Sequence, residues 1–198
     1  GLKDIPVVLP CDFPQGINTA AHHTKITVKL DRAQTQALLK DAPAAYRTQV
    51  NDLLLTALAS ALCEWAGHEK ILVDLEGHGR EDLYPDIDLS RTIGWFTSLF
   101  PVILDPSGDL TRRIKHIKES LRQIPRKGLG YGLFKYHGTE AQRQLLAGLP
   151  KAQVVFNYLG QFDARLEEQT PWLLASEPMG ELIDQNVRQH HELSTNSH

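Results

Sequence analysis

Cysteine is scarce in this chain of 198 residues: Cys11 and Cys63 are the only two, with neither CxxC nor zinc-like spacing. That rules out a disulfide framework and leaves two idle thiols that suit a reducing compartment. Long apolar runs are missing as well. The longest uncharged stretches, Leu53 to Cys63 and Thr92 to Leu104, fall short of the roughly 20 residues that span a bilayer, and Pro101 interrupts the second. The start, Gly1 to Pro6, lacks the basic region, apolar core and cleavage site of a secretory signal, so a cytoplasmic protein is expected, with no membrane partner. There is no internal repeat and no low-complexity tract. GxSxG, HExxH, a phosphate-binding Walker loop and paired CxxC motifs are all absent, and most reaction classes lose support with them.

What is present is ordinary globular material, 41% hydrophobic and 23% charged, unlike disordered, collagen-like or membrane compositions. The net charge of −3 offers no global attraction to nucleic acid. Its distribution is uneven. Arg112 to Lys135 carries eight basic residues against one acid, Glu119, a local excess of +7, while Asp74 to Asp88 holds six acids and one Arg80. Such segregation fits either solvated helix faces or a surface for a charged partner.

Ile26 to Leu30 alternates apolar and polar residues, predicting a half-buried strand. Asp31 followed by Gln34 predicts a capped helix over Arg32 to Lys40 that Pro43 ends. Val50, Leu53, Leu54, Ala57, Leu58, Ala61, Leu62 and Trp65 form a helical stripe stopping at Gly67. Lys70 to Glu76 predicts a strand with Asp74 and Glu76 on one face. Trp95 to Leu104 is apolar on both faces, as in a covered strand or a buried crossing segment. Leu110 to Ile124 predicts an amphipathic helix with basic residues outside, Thr139 to Leu146 a short helix, and Gln153 to Leu159 a buried strand ending at Gly160. Beyond Arg165 no pattern closes a core. The alternation of strands and helices gives an α/β class, a mixed sheet with packed helices.

Gly128-Leu129-Gly130-Tyr131-Gly132 follows a helix rather than a strand, so a flexible turn is expected there, not a dinucleotide loop. His22-His23 and His190-His191 sit in irregular segments, a poor arrangement for a metal. Glu76-Gly77-His78-Gly79-Arg80-Glu81 puts an acid, a histidine and an arginine at a strand end between glycines. A carboxylate emerging from Leu72 to Leu75 and partly desolvated would be equipped for proton transfer; equally, Arg80 would pair with a carboxylate and pin a turn.

Asn51 to Ala57, Leu75 to Glu81, Arg91 to Val102, Pro125 to Gly132 and Phe156 to Gln161 resemble, in that order, the later motifs of epimerization domains from nonribosomal peptide synthetases. Asp12-Phe13-Pro14 with Asn18-Thr19 is similar to the segment that joins the two lobes of that family. The resemblance implies a chloramphenicol-acetyltransferase-like lobe over residues 25–198, preceded by an interlobe lead-in over 1–24, the chain being cut at both ends. The family's first lobe carries a His-His-x-x-x-Asp-Gly motif, and here His22-His23 runs on into Thr24-Lys25 without it. The resemblance therefore points to the C-terminal lobe alone.

It further implies inversion at the α-carbon of an aminoacyl or peptidyl thioester held on the phosphopantetheine of a carrier protein, with no intrinsic cofactor or metal. Glu76 would be this lobe's acid/base group, facing the first lobe's histidine. Asn157 and Tyr158 match the family's Asn-Tyr pair, and alternation puts them on opposite strand faces, so at most one points directly at substrate; Tyr158 is either a donor to the thioester oxygen or a core residue. His78, Arg80, Trp95 and Thr97 would bind substrate or support the site, with Arg80 orienting Glu76 or its loop and Trp95, Phe96 and Phe100 expected in the core. Arg122, Arg126 and Lys127 would dock the carrier. A lobe of a peptide-bond-forming condensation domain, or a noncatalytic carrier-docking module, are the rival readings. The isolated chain is expected to be inactive and to self-associate through its uncovered face.

Overall fold

The computed structural model describes residues 8–81, 86–160, 177, 180 and 183–197; Gly1 to Val7 of the lead-in and Gln161 of the last motif lie outside them. Asp31 caps the first helix as its spacing predicts. Its carboxylate accepts from Gln34 N at 2.8 Å, and Gln34 returns its own side-chain oxygen to Asp31 N at 3.1 Å. That helix, α1 (Arg32–Gln36), does not stop at Pro43. It widens into a π-helical turn over Ala37–Asp41 and continues as α2 (Ala42–Tyr46). Pro43 follows directly on the π turn, and the helix runs on through it.

α3 (Val50–Ala66) realises the apolar stripe and ends at Gly67. Leu55 and Ala59 are fully buried, with Leu62 and Cys63 close behind. Burying one such leucine contributes about 1.5–3 kcal/mol, so this stripe anchors the helix. It packs on a four-stranded sheet ordered β2-β1-β3-β4, made of β1 (Ile71–Gly77), β2 (Ser98–Leu104), β3 (Val154–Tyr158) and β4 (Leu193–Ser197). β2 is antiparallel to β1, whereas β1, β3 and β4 run parallel. Alternate residues Ile71, Val73, Leu75, Phe100, Val102, Leu104, Val154 and Phe156 form the core with α3 and with Ile117 of α4 (Leu110–Arg122). The mixed sheet with packed helices is the expected fold class.

Four expectations are corrected. Ile26 to Leu30 joins no strand ladder, and Ile26 and Val28 are 87% and 85% exposed. Period-two patterning marks a segment able to pair but supplies no partner. The strand expected from Trp95 begins at Ser98, and Trp95 is 90% exposed rather than in the core. β4 appears where no pattern was read, because an exposed edge strand is held by backbone bonds and needs no apolar alternation. Gly128 to Gly132 is not a flexible turn: a tight turn over Pro125–Gly128 leads directly into α5 (Leu129–His137), and α6 (Glu140–Ala147) follows behind a Thr139 cap.

The basic excess is also partly inward. Lys118 donates to Tyr46 O at 3.3 Å and Arg122 to Arg47 O at 3.1 Å, closing the carbonyl end of α2, where cations are favoured. Cys11 is exposed and Cys63 buried, and burial, reinforced by the Asp105 carboxylate, pushes the Cys63 thiol above its usual range.

At Gly128 the backbone is left-handed (φ 80°), and an added Cβ would lie 2.2 Å from the Phe100 ring. Gly128→Ala is expected to cost about 2–4 kcal/mol, combining overpacking with the left-handed penalty. Chemical denaturation reads this directly, and a loss under about 1 kcal/mol would contradict the packing described.

Lys70 and Asp105 join the start of β1 to the end of β2 at 3.1 Å. Burial works against the Asp105 charge, but Lys70 and Ser107 outweigh it and hold the carboxyl below its usual range. A depressed carboxyl adds stability above its unfolded value near ~4, and that stability is lost as pH falls through the lower folded value. Asp105→Asn is expected to flatten the acid decline of the denaturation midpoint below about pH 4. An unchanged acid slope would show that the pair contributes nothing.

Candidate functional site

The C-terminal ends of parallel β1 and β3 open into a cleft of 880 Å³, walled by the first turn of α3, the end of α4 and the 125–128 turn. Strand ends of this kind are where open α/β sheets bind ligands. Glu76, His78, Thr97, Arg122, Lys127, Asn157 and Tyr158 all line it, together with Glu81. Trp95 and Arg126 are exposed and are not among its lining residues.

The sheet register explains the centre. Leu75 lies beside Phe156, so the next residues, Glu76 and Asn157, are neighbours on the opposite face. Asn157 Nδ2 donates to Glu76 Oε2 at 2.7 Å. Glu76 is exposed, which corrects the expected partial desolvation. Alternation turns it off the face that packs on α3. Tyr158 takes the other face, half-buried against the core cluster while still reaching the cleft. Two residues back from Glu76, Asp74 meets His191 Nε2 at 2.8 Å, with side chains 19% and 16% exposed, so this histidine is bound to a carboxylate. Among the described residues no cluster of three histidines, cysteines or carboxylates could hold a metal.

Arg80 does not pair with Glu76. Its guanidinium donates to Leu89 O and, at 3.2 Å, to Gly94 O, and stacks 4.3 Å from the Phe96 ring centre. It fixes the loop leading to β2 and leaves the acid alone. Gly79 makes that close approach possible: its φ is 67°, and a Cβ there would sit 1.6 Å from the Phe96 carbonyl oxygen. His78 Nδ1 accepts from Arg80 N at 3.0 Å, which leaves Nε2 to donate to Glu81 Oε1 at 3.1 Å. Lys127 completes the cluster on Glu81 Oε2 at 2.8 Å.

Glu81 is thus the residue that the sequence reading passed over. It ties the loop after β1 to the turn before α5, and its signal was the acid placed one position after Arg80. Asn51 is a second. It lies in the cleft wall, and its side-chain oxygen is buried with no bonding partner among the described residues.

Residues 4–194 match the family model of the condensation domain, and the chain belongs to that family, whose domains build nonribosomal peptide synthetases. It is 48% identical over 180 residues to the chondramide synthase of Chondromyces crocatus, covering 90% of this chain and 4% of that one. It is 49% identical over 146 residues to gramicidin S synthase 1 of Brevibacillus brevis, covering 73% of this chain and 13% of that one. Among solved structures it is similar to the epimerization domain from the third module of tyrocidine synthetase B, with a TM-score of 0.83 and 36% identity over 96% of this chain and 43% of that chain. The X-domain from teicoplanin biosynthesis shares the fold at a TM-score of 0.58 and 24% identity, over 79% of this chain and 34% of that chain. The chain therefore spans under half of either domain and a small part of the synthases.

Arg80→Lys removes the planar fork that bridges two carbonyls while keeping the charge. It is expected to speed proteolysis within residues 86–97 severalfold with little change in global stability. Cleavage at the wild-type rate would show that the loop is held by something else.

Proposed function

We propose that this chain is the C-terminal lobe of an epimerization domain, which inverts the α-carbon of an aminoacyl or peptidyl thioester carried on phosphopantetheine. The observation that carries the reading is the exposed Glu76 carboxylate, held at the cleft by Asn157. Likeness to the tyrocidine synthetase epimerization domain supports epimerization over peptide-bond formation.

In this reading Glu76 takes the α-proton from one face of the thioester, and the electron pair of the broken C–H bond moves onto the thioester oxygen as an enolate. Asn157 orients the base. Tyr158, on the other face of the same strand end, packs half-buried against the core and steadies the cleft wall. A histidine of the His-His-x-x-x-Asp-Gly motif, on the partner lobe, returns a proton to the opposite face, and the enolate collapses to the inverted thioester. The carrier protein docks near Arg122, Arg126 and Lys127, at the mouth of the cleft. One lobe alone holds half of the acid/base pair, so the isolated chain does not turn over.

Glu76→Gln in the complete two-lobe domain keeps size and hydrogen bonding but cannot take up a proton. It is expected to fold, bind the loaded carrier normally and lose on the order of 10²–10⁴-fold in epimerization rate, followed by chiral analysis of the released acid and by solvent deuterium uptake at the α-carbon. Near-normal inversion of both stereoisomers by a folded variant would remove Glu76 from the chemistry. Peptide-bond formation by the wild-type domain in the same assay would favour the condensation reading.

A further inference from the structure

β4 extends the Glu76 row by one strand. Asn157 is in register with Asn196, just as Val155 is with Ser194, so Glu76, Asn157 and Asn196 lie side by side on one sheet face at the same end of three parallel strands. At about 4.8 Å between strands, Asn196 lies roughly 10 Å across the sheet from Glu76. Its side chain is exposed, and Nδ2 makes only a long bond of 3.3 Å to Ser194 Oγ. Asn157 spends its amide on Glu76. Among the described residues no donor reaches the side-chain oxygen of either asparagine. The row is thus a proton acceptor for carbon chemistry followed by two hydrogen-bond acceptors, stepping away from it.

We propose that Asn196 is a substrate-binding residue that accepts a hydrogen bond from the N–H one residue upstream of the inverted α-carbon, and so makes the site select peptidyl over aminoacyl thioesters. This rests on the epimerization reading. With the α-carbon within reach of Glu76, its own N–H falls to the Asn157 oxygen. An extended acyl chain advances about 3.5 Å per residue, which carries the next N–H toward the reach of the Asn196 side chain. An aminoacyl group has no such N–H. The bond therefore adds to the binding of substrates that carry the N–H and adds nothing for the analogue lacking it.

The test uses the complete two-lobe domain with its carrier loaded either with a dipeptidyl thioester or with the desamino counterpart, in which hydrogen replaces the upstream amino group. Wild type is expected to invert the dipeptidyl substrate about threefold more efficiently in kcat/KM, the order that the net contribution of one solvent-exposed hydrogen bond supports. Asn196→Val is expected to lose that factor on the dipeptidyl substrate alone. Its wild-type rate on the desamino substrate would show that it is folded. Asn196→Asp keeps an acceptor and is expected to retain the preference. An Asn196→Val variant that still prefers the dipeptidyl substrate, or that falls equally on both, overturns the assignment while leaving epimerization standing. A Glu76→Gln variant that inverts normally overturns the underlying reading and the assignment with it.

Discussion

The parallel pairing of β1 with β3 is the constraint on which everything at the cleft depends. These strands are separated by about 80 residues of chain, yet Val73 lies beside Val154 and Leu75 beside Phe156. The four side chains are buried between the sheet and α3, so a slip of one residue would carry them to the other face and turn polar residues toward α3. Apolar packing on one face thereby sets polar geometry on the other. The 2.7 Å bond between Asn157 and Glu76 is a by-product of that burial, and so is the Asp74 contact with His191.

Around this centre the loop chemistry is arranged to hold position rather than to react. Arg80 satisfies carbonyls of the segment leading to β2, while Glu81 gathers His78 and Lys127 from two sides of the cleft. Consecutive left-handed residues Arg126, Lys127 and Gly128 bend the chain between α4 and α5 so that the lysine can reach. Non-glycine residues in that conformation cost about 1–3 kcal/mol each, and the ion pair and the close packing of Gly128 on Phe100 offset part of it.

Much of this was legible from residue spacing. The α3 stripe, its stop at Gly67, the Asp31 cap and the placement of Glu76 all follow from local periodicity and capping chemistry. Partners were less legible. Ile26 to Leu30 alternates as a strand should and yet pairs with nothing described, while Leu193 to Ser197 shows no apolar alternation and pairs along its length. Pairing is a property of two segments, and one segment's pattern states only which faces it would offer. The same limit governs Arg80: acids lie close to it in the sequence, but folding brings it to the Leu89 and Gly94 carbonyls. Pro43 misled for a different reason, since the helix widens into a π turn just ahead of it and continues.

Pro101 has a consequence for the sheet as a whole. It sits in β2, one of the two lateral strands, with no N–H to offer. A foreign strand arriving on that side would meet a gap in the donor row. β4, on the other side, presents Ser194, Thr195, Asn196 and Ser197, with neither proline nor charge among them. Among the described residues the two outer strands therefore differ in what they offer an incoming chain: proline obstructs pairing along β2, and neither proline nor charge obstructs it along β4.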